Sequence, residues 1–349
     1  MDIPFRSRGK QSCEQRAREV RFADELIALA ASLDFKMSSR GWCYHLEAHG
    51  LSKADFDRAE ALINSLREEG VLPIDLVATS QQRIVEGLEY VSEYKTDEAY
   101  FEYLGDELIP DAASFWTPQS QWETQPNYIE VVVEKIDLVN LFSPVSKGEF
   151  GVTITNMAGW SDQLTRATQM LRFVSHGDAG RQPKVLYITD HDPDGLRIAD
   201  LLPEHYARLA NVRWMDGTQI EWTPDSVPVE RIGLDYDLIE KLGLTWIDGL
   251  TTGRRNQDGS KRNLADPSHP NHNHDYVQDY LRKFGARKVE ANALVVRVDE
   301  AREWLRGVLS QHIDLVALER YRSDLKQKRK EFLSRVELTL DGRQENGEE

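Results

Sequence analysis

Three acidic side chains, far apart in the chain, carry the clearest chemical signal. Ile129-Glu130-Val131-Val132-Val133-Glu134-Lys135 is a β-branched run ending on an acid and a base. Val185-Leu186-Tyr187-Ile188-Thr189-Asp190-His191-Asp192-Pro193-Asp194-Gly195 is a second apolar run, ending on Asp190 and Asp192. Runs of this composition predict buried strands. Glu134, Asp190 and Asp192 then fall at strand carboxyl ends, the edge of a parallel sheet at which α/β proteins bind ligands. Two residues apart in an extended turn, Asp190 and Asp192 can face one side. Three converging carboxylates repel one another unless a cation neutralises them. Oxygen-only donors favour Mg²⁺ or Mn²⁺ over zinc, and such an ion can stabilise charge on a phosphoryl oxygen and on the attacking or leaving oxygen. Two other readings stay open. Asp-x-Asp-x-Asp-Gly also opens an EF-hand calcium loop, although the twelfth position here is Leu201 and a strand precedes the loop. A turn of solvated acids is the plainer alternative, and it leaves the buried character of the strand before Glu134 unexplained.

These acids need elements to position them. Apolar residues at helical spacing from Val20 to Leu33 predict an amphipathic helix within 12–34. A second helix is expected from Ser39 to Leu46, and a third from Lys53 to Glu69, capped by Ser52 and ended by Gly70. Residues 71–77 read as an edge strand, the only kind that tolerates Pro73. Helix, helix and strand over this length outline a winged helix, which lays one helix in the major groove. From Tyr128 onward strands alternate with helices: 129–133, 151–155, 185–188, a helix over 196–209, and a further strand at 294–298. That alternation means a mostly parallel, Rossmann-like sheet. The expected division is an N-terminal helical arm (1–34), a winged-helix domain (35–95), an acidic linker with exposed Phe115, Trp116 and Trp122 (96–126), an α/β sheet domain (127–336) and a disordered tail (337–349). The sheet domain would carry a polar loop inserted near 251–275 and end in a long helix.

Composition sets the partners that can be entertained. The chain has 349 residues with 40% hydrophobic and 29% charged residues, an ordinary globular balance. No apolar run reaches the ~18 residues that span a bilayer, and Met1 to Lys10 lacks the apolar core of a secretory signal. Two cysteines, Cys13 and Cys43, suit a reducing cytoplasm. The net charge of −16 argues at first against nucleic acid. Much of the acid, however, is concentrated in 83–125, while basic clusters lie elsewhere. They include Arg6 to Arg21, Arg254-Arg255 with Lys261-Arg262, Arg282 to Lys288, and Lys326 to Lys330. Each cluster can equally be a solvated face; Arg254, Arg255, Lys261 and Arg262 are the candidate DNA contacts. Arg outnumbers Lys, a mix in keeping with a high-salt cytoplasm. His269, His272 and His274 with Asp275 could bind a soft metal or simply form a loop, and Trp116 and Trp122 could stack on bases or pack on a domain.

A glutamate after one strand and Asp-x-Asp after a later one resembles the Toprim domain shared by topoisomerases, bacterial primases and some nucleases. Val-Glu-Lys with Asp-His-Asp-Pro-Asp-Gly is most similar to the A subunit of topoisomerase VI and the meiotic double-strand-break protein, and the chain looks closest to stand-alone Mini-A proteins. The resemblance spans residues 36 to 300. Its softer matches are 156–162 with Arg166, Arg231-Ile232-Gly233-Leu234, and the Glu-containing stretch 288–294.

That resemblance implies a catalytic tyrosine in the winged helix. Ser38-Ser39-Arg40-Gly41-Trp42-Cys43-Tyr44 supplies it, with Cys43 where the family has an aromatic. Arg40 and Tyr44, four apart, share a helix face. A tyrosine of pKa near ~10 is a poor nucleophile, and a guanidinium favours the phenolate and can hold a phosphate. Attack would join DNA to Tyr44 and conserve the bond for resealing. The alternative is an interior aromatic. The implied enzyme is a cytoplasmic, nucleoid-associated, type IIB-like topoisomerase, an isomerase acting as a homodimer on double-stranded DNA. The tyrosine of one protomer would meet the metal site of the other, and each dimer would make a double-strand break. Glu134, Asp190 and Asp192 would hold Mg²⁺ or Mn²⁺, with Lys135, His191, Asp194 and Arg197 assisting. A separate ATPase subunit is a further implied partner; nothing in this sequence resembles one. Two rivals stand beside this reading: a Toprim nuclease using water, in plasmid or phage defence, and a non-catalytic DNA-binding dimer.

Overall fold

The two runs that end on acids are neighbouring strands of one sheet. In the computed structural model, which describes residues 2–6, 12–69, 71–73, 76–77, 103–157, 163–207, 227–255 and 261–345, the chain is mixed α/β. Four parallel strands, β1 (Asn127–Val133), β2 (Thr153–Asn156), β3 (Gln182–Ile188) and β4 (Val229–Gly233), lie in the order β2-β1-β3-β4. The β1–β3 register sets Val133 opposite Ile188. Ile129, Val131, Val133, Val185 and Ile188 are buried, as are Leu186 and Tyr187. A strand covered on both faces gives a continuous apolar run rather than an alternating one. Each such aliphatic side chain contributes about 1.5–3 kcal/mol.

By its contacts the chain forms two compact units: Met1–Ser80 with Asn127–His312, and Gln81–Pro126 with Ile313–Glu349. The first contains α1 (Cys13–Ala31), α2 (Ser39–Glu47), α3 (Phe56–Glu68), the sheet, and helices α4 (Ile136–Ser143), α5 (Gln163–Asp178), α6 (Pro193–Ala207), α7 (Tyr236–Leu242), α8 (Asp275–Phe284) and α9 (Val298–Leu309). Its N-terminal segment is fastened by charge. Arg6 reaches Glu19 at 2.8 Å and Glu69 at 2.5 Å, and Arg16 reaches Glu69 at 2.6 Å. In the second unit, helices Ile109–Phe115 and Leu315–Glu345 meet. Trp116 stacks on Phe332 with ring centroids 5.1 Å apart, and Gln125 and Asp314 exchange two hydrogen bonds. Residues 109–125 of the segment expected as a linker therefore pack with the C-terminal helix. No described helix is long and apolar enough to cross a membrane.

Several expected elements differ. Among the described residues of this stretch, 71–73 and 76–77, no ladder forms: Leu76 N–H bonds back to the Pro73 carbonyl, and an isolated bridge joins Val77 to Met37. Residues 291–296 are a 3₁₀ turn instead of a strand, and α9 starts at Val298. A short apolar run buried on all sides reads alike in either state. The polar stretch from 251 includes a hairpin, β5 (Thr251–Arg255) against β6 (Lys261–Asn263), followed by turns up to α8. Asn263 Oδ1 accepts from Leu250 N and Ala265 N, and Leu250, Leu264, Val277 and Tyr280 form a small core beneath. The long final helix is two helices broken at 310–314, and the second runs on to Glu345, through most of the expected tail. Extending an established helix adds one hydrogen bond per residue with no new nucleation cost. Trp122, expected to be exposed, is buried. Residues 81–102, most of the acidic stretch, lie outside the described residues.

α6 begins against β3 so closely that a Cβ at Gly195 would lie 2.2 Å from the Asp190 carbonyl oxygen. Gly195→Ala should therefore lower stability by about 3 kcal/mol or more through backbone displacement, read as a lower urea midpoint at unchanged m-value. The arginine clasp makes a second, acid-side expectation. Arg6 first, then Arg16, hold the Glu69 carboxyl at about 2, below its ordinary 4.5. A carboxyl more acidic when folded contributes its stability in full above about pH 4.5 and loses it as pH falls toward 2. Glu69→Gln should flatten the fall in urea midpoint across that window.

Candidate active site

Sheet order determines where a ligand can sit. The chain leaves β1 toward β2 on one side, and leaves β3 toward β4 on the other. Connections that diverge from adjacent strands open a crevice at their carboxyl ends. Glu134 and Asp190 are the residues at that point. Glu134 Oε2 accepts from the Asp190 backbone N–H at 3.2 Å. The Lys135 ammonium lies 3.1 Å from Glu134 Oε1 and 3.3 Å from Asp190 Oδ2. Asp190 Oδ1 accepts from Ala291 N–H at 2.7 Å. Asp192 caps α6, its Oδ1 accepting from Gly195 N–H at 2.7 Å.

The electrostatics are crowded. Burial, then the Glu134 charge, push the Asp190 carboxyl up to about 6 against the pull of Lys135. Burial, then Asp190, push Asp192 up to about 6. Burial disfavours charge on Lys135, but Asp190 and Glu134 outweigh it and hold the ammonium charged. This donor set suits a hard divalent cation in chemistry. In geometry the Lys135 ammonium is the counter-charge between two of the acids, and Asp192 is committed to its helix. Among the described residues no three His, Cys, Asp or Glu side chains close round one point as a metal site.

A short strip delivers a fourth acid. Backbone bonds between His191 and Val289 (2.8 and 3.1 Å) lay 289 beside the end of β3. Tyr280 OH donates to both the His191 and Arg287 carbonyls. Glu290 thereby faces α2, where Tyr44 OH donates to its Oε2, while Lys288 Nζ lies 3.3 Å from its Oε1. Tyr44 is only 1% exposed. Burial, then the Glu290 charge, push its phenol well above the ordinary range, with Arg40 opposing. Burial raises Glu290, but Lys288, the Tyr44 hydroxyl, Arg40 and Lys135 together hold it below the usual carboxylate range. The Tyr44 ring packs edge-on against Phe56, and Lys53 Nζ sits 5.1 Å over it. Arg40, over Phe56, reaches Asp57 and Glu60 at 3.3 Å each. Within this chain the Tyr44 hydroxyl thus sits against one acid, Glu290.

Asp137 fixes α2 in this position. Buried at the start of α4, it accepts from Ser38 N and Ser38 Oγ at 2.6 Å each and from Asn292 Nδ2 at 2.9 Å. Ser38 in turn caps α2 by accepting from Gly41 N–H. A Cβ at Gly41 would crowd Met37 at 2.9 Å and Asp137 at 3.2 Å, so a glycine lets the helix approach.

The remaining sequence candidates lie apart. The His191 ring bonds through Nδ1 with the Leu234 carbonyl and packs among Trp246, Tyr280 and Phe284. Asp194 accepts from Tyr276 OH, and Arg197 lies over the Tyr276 ring. Arg254 and Arg255 are on β5, with Arg255 opposite Lys261; Lys261 and Arg262 are on β6. His269 and His272 hold loop backbone, through Asn271 N–H and the Leu264 carbonyl respectively. Lys53 and Asp137 have no role in the sequence reading, and Glu290 enters it only within the softer match 288–294. Asp137 and Asn292 did carry a signal, each a lone polar residue inside an apolar run. No protein-family model matches the chain, and no match to it is found among the curated proteins.

Asp137→Ala strands the Ser38 and Asn292 donors in a buried place. It should cost about 3 kcal/mol, since bonds to a charged group are worth about 1.5–3 kcal/mol each; the urea midpoint measures it. Asp137→Asn should recover part of the loss.

Proposed function

We propose that the chain is a Toprim-type enzyme, similar to the A subunit of topoisomerase VI, that breaks and rejoins double-stranded DNA as a homodimer with Mg²⁺ or Mn²⁺. The observation that carries this reading is the meeting of Glu134 and Asp190, 56 residues apart in sequence, at the switch point of the parallel sheet. The helices before the sheet, with Tyr44 and Arg40 on α2, are read as the winged-helix domain. Glu134, Asp190 and Asp192 would hold the ion, which when bound supplies positive charge for a phosphoryl oxygen. Lys135 neutralises the acids and offers a further cation to the phosphate. Tyr44 is the nucleophile, and Arg40, held by Asp57 and Glu60, clamps the phosphate beside it. A separate ATPase subunit would drive strand passage.

The burial of Tyr44 favours a second reading, a Toprim nuclease in which water attacks and Tyr44 only packs α2. One experiment separates the two. Supercoiled plasmid is incubated with the protein and Mg²⁺ or Mn²⁺, and the products are run with and without protease. The topoisomerase reading expects DNA covalently attached to protein, an adduct reduced by at least about 10³-fold in Tyr44→Phe and lost in Glu134→Gln. The nuclease reading expects free ends, unchanged by Tyr44→Phe and abolished by Glu134→Gln. An adduct that persists in Tyr44→Phe removes the first reading, and DNA left intact by the wild type with either metal removes both.

A further inference from the structure

Glu290 is surrounded by a hydroxyl and cations that would suit a phosphate as well as they suit its carboxylate. The Tyr44 hydroxyl and the Lys288 ammonium contact its two oxygens. Arg40, Lys53 and Lys135 stand near enough for their charges to act on it. Three of these cations have acids of their own: Arg40 has Asp57 and Glu60, Lys53 has Glu47, and Lys135 has Glu134 and Asp190. Glu290 is the one described ion-pair partner of Lys288. The pocket also reaches the surface, with side-chain exposures of 20% for Glu290, 12% for Lys288, 16% for Lys53 and 36% for Arg40.

We propose that Tyr44, Lys288, Lys53 and Arg40 form a phosphate-binding site, and that Glu290 fills it from within as an internal stand-in for the phosphate. Carboxylate and phosphate oxygens accept from the same donors, and lysine and arginine bind both. While Glu290 sits there, the Tyr44 hydroxyl is spent on a carboxylate and a DNA phosphate is repelled. When Glu290 withdraws, an entering phosphate meets the hydroxyl and the cations together. Geometrically the site stands on the contacts of Tyr44 and Lys288 with Glu290 and on Lys53 lying over the Tyr44 ring. It rests on the function proposed above only in taking the phosphate to be DNA's, and it holds whether or not Tyr44 attacks.

The test measures binding, without divalent metal and without cleavage. A 20-base-pair duplex and inorganic phosphate are titrated separately into wild type, Glu290→Ala, Glu290→Gln and Glu290→Ala/Lys288→Ala; Asp237→Asn, an exposed charge removal on α7, is the control. Glu290→Ala should bind duplex about tenfold more tightly at low salt, with the slope of log K against log salt steeper by about 0.9, one added phosphate contact. Adding Lys288→Ala should return both to the wild-type values, and Asp237→Asn should change neither. Glu290→Gln, which keeps the bond from Tyr44 and the side-chain volume, should show a smaller gain in the same direction. It carries the test if the alanine variant does not fold. Tighter binding of inorganic phosphate but not of duplex would keep the anion site and assign it to a free phosphate. Affinities for both ligands that match wild type, or a gain equal to that of Asp237→Asn, would overturn the proposal. Because no strand is cut, failure of the adduct experiment leaves this result independent.

Discussion

Placing carboxylates side by side away from water is costly unless a cation compensates them, and the edge between β1 and β3 does so with Lys135. Its ammonium touches Glu134 and Asp190 at once, and both acids also receive backbone N–H groups. The surrounding structure is organised around keeping that compensation in place. β1 and β3 are in register, so the two acids leave at one level. α6 starts without a side chain at Gly195, so the end of β3 can turn beneath it. The strip from Arg287 to Ala291 is pinned to the end of β3 by backbone pairing and by Tyr280.

A second buried acid performs a different task. Asp137 has no cation among its described partners; it is satisfied by donors from α2 and from Asn292. Three hydrogen bonds to one carboxylate fix both distance and orientation, because a buried donor left without a partner costs about 1–3 kcal/mol. α2 is held to α4 and to the turn at 291–296 by this polar clasp, and Trp42, Tyr44 and Leu46 on it are buried. The ordering of Tyr44 and Arg40 relative to the acids therefore depends on a residue that takes no part in either group.

Local pattern made much of this legible. Strands buried on both faces announce themselves as β-branched runs, and the positions of Glu134, Asp190 and Asp192 followed from where those runs stop. Helices α1 to α3 followed from apolar spacing. What pattern alone could not give was pairing across the chain. The bond from Tyr44 to Glu290 spans 246 residues, and although each lies in a stretch the family resemblance marks, nothing local pairs the two. The stretch 291–296 defeated the strand reading because a segment buried on every side has no exposed face to reveal its period. The hairpin at β5 and β6 is hidden by polar residues, among them Asn263, which bonds the loop backbone. His191, between two acids of the motif, was assigned to them by proximity in sequence, but successive residues of an extended turn point opposite ways.

Glu290, Ala291 and Asn292 are consecutive, yet they hold three separate parts of the unit: the hydroxyl of Tyr44, the carboxylate of Asp190 and the carboxylate of Asp137. So short a piece of backbone has no slack between its contacts. A shift along the chain of even a single ångström would loosen all three grips together, so that the nucleophile candidate, the acid pair and the anchor of α2 share one mechanical degree of freedom. That gearing is carried by a tripeptide inside an apolar run.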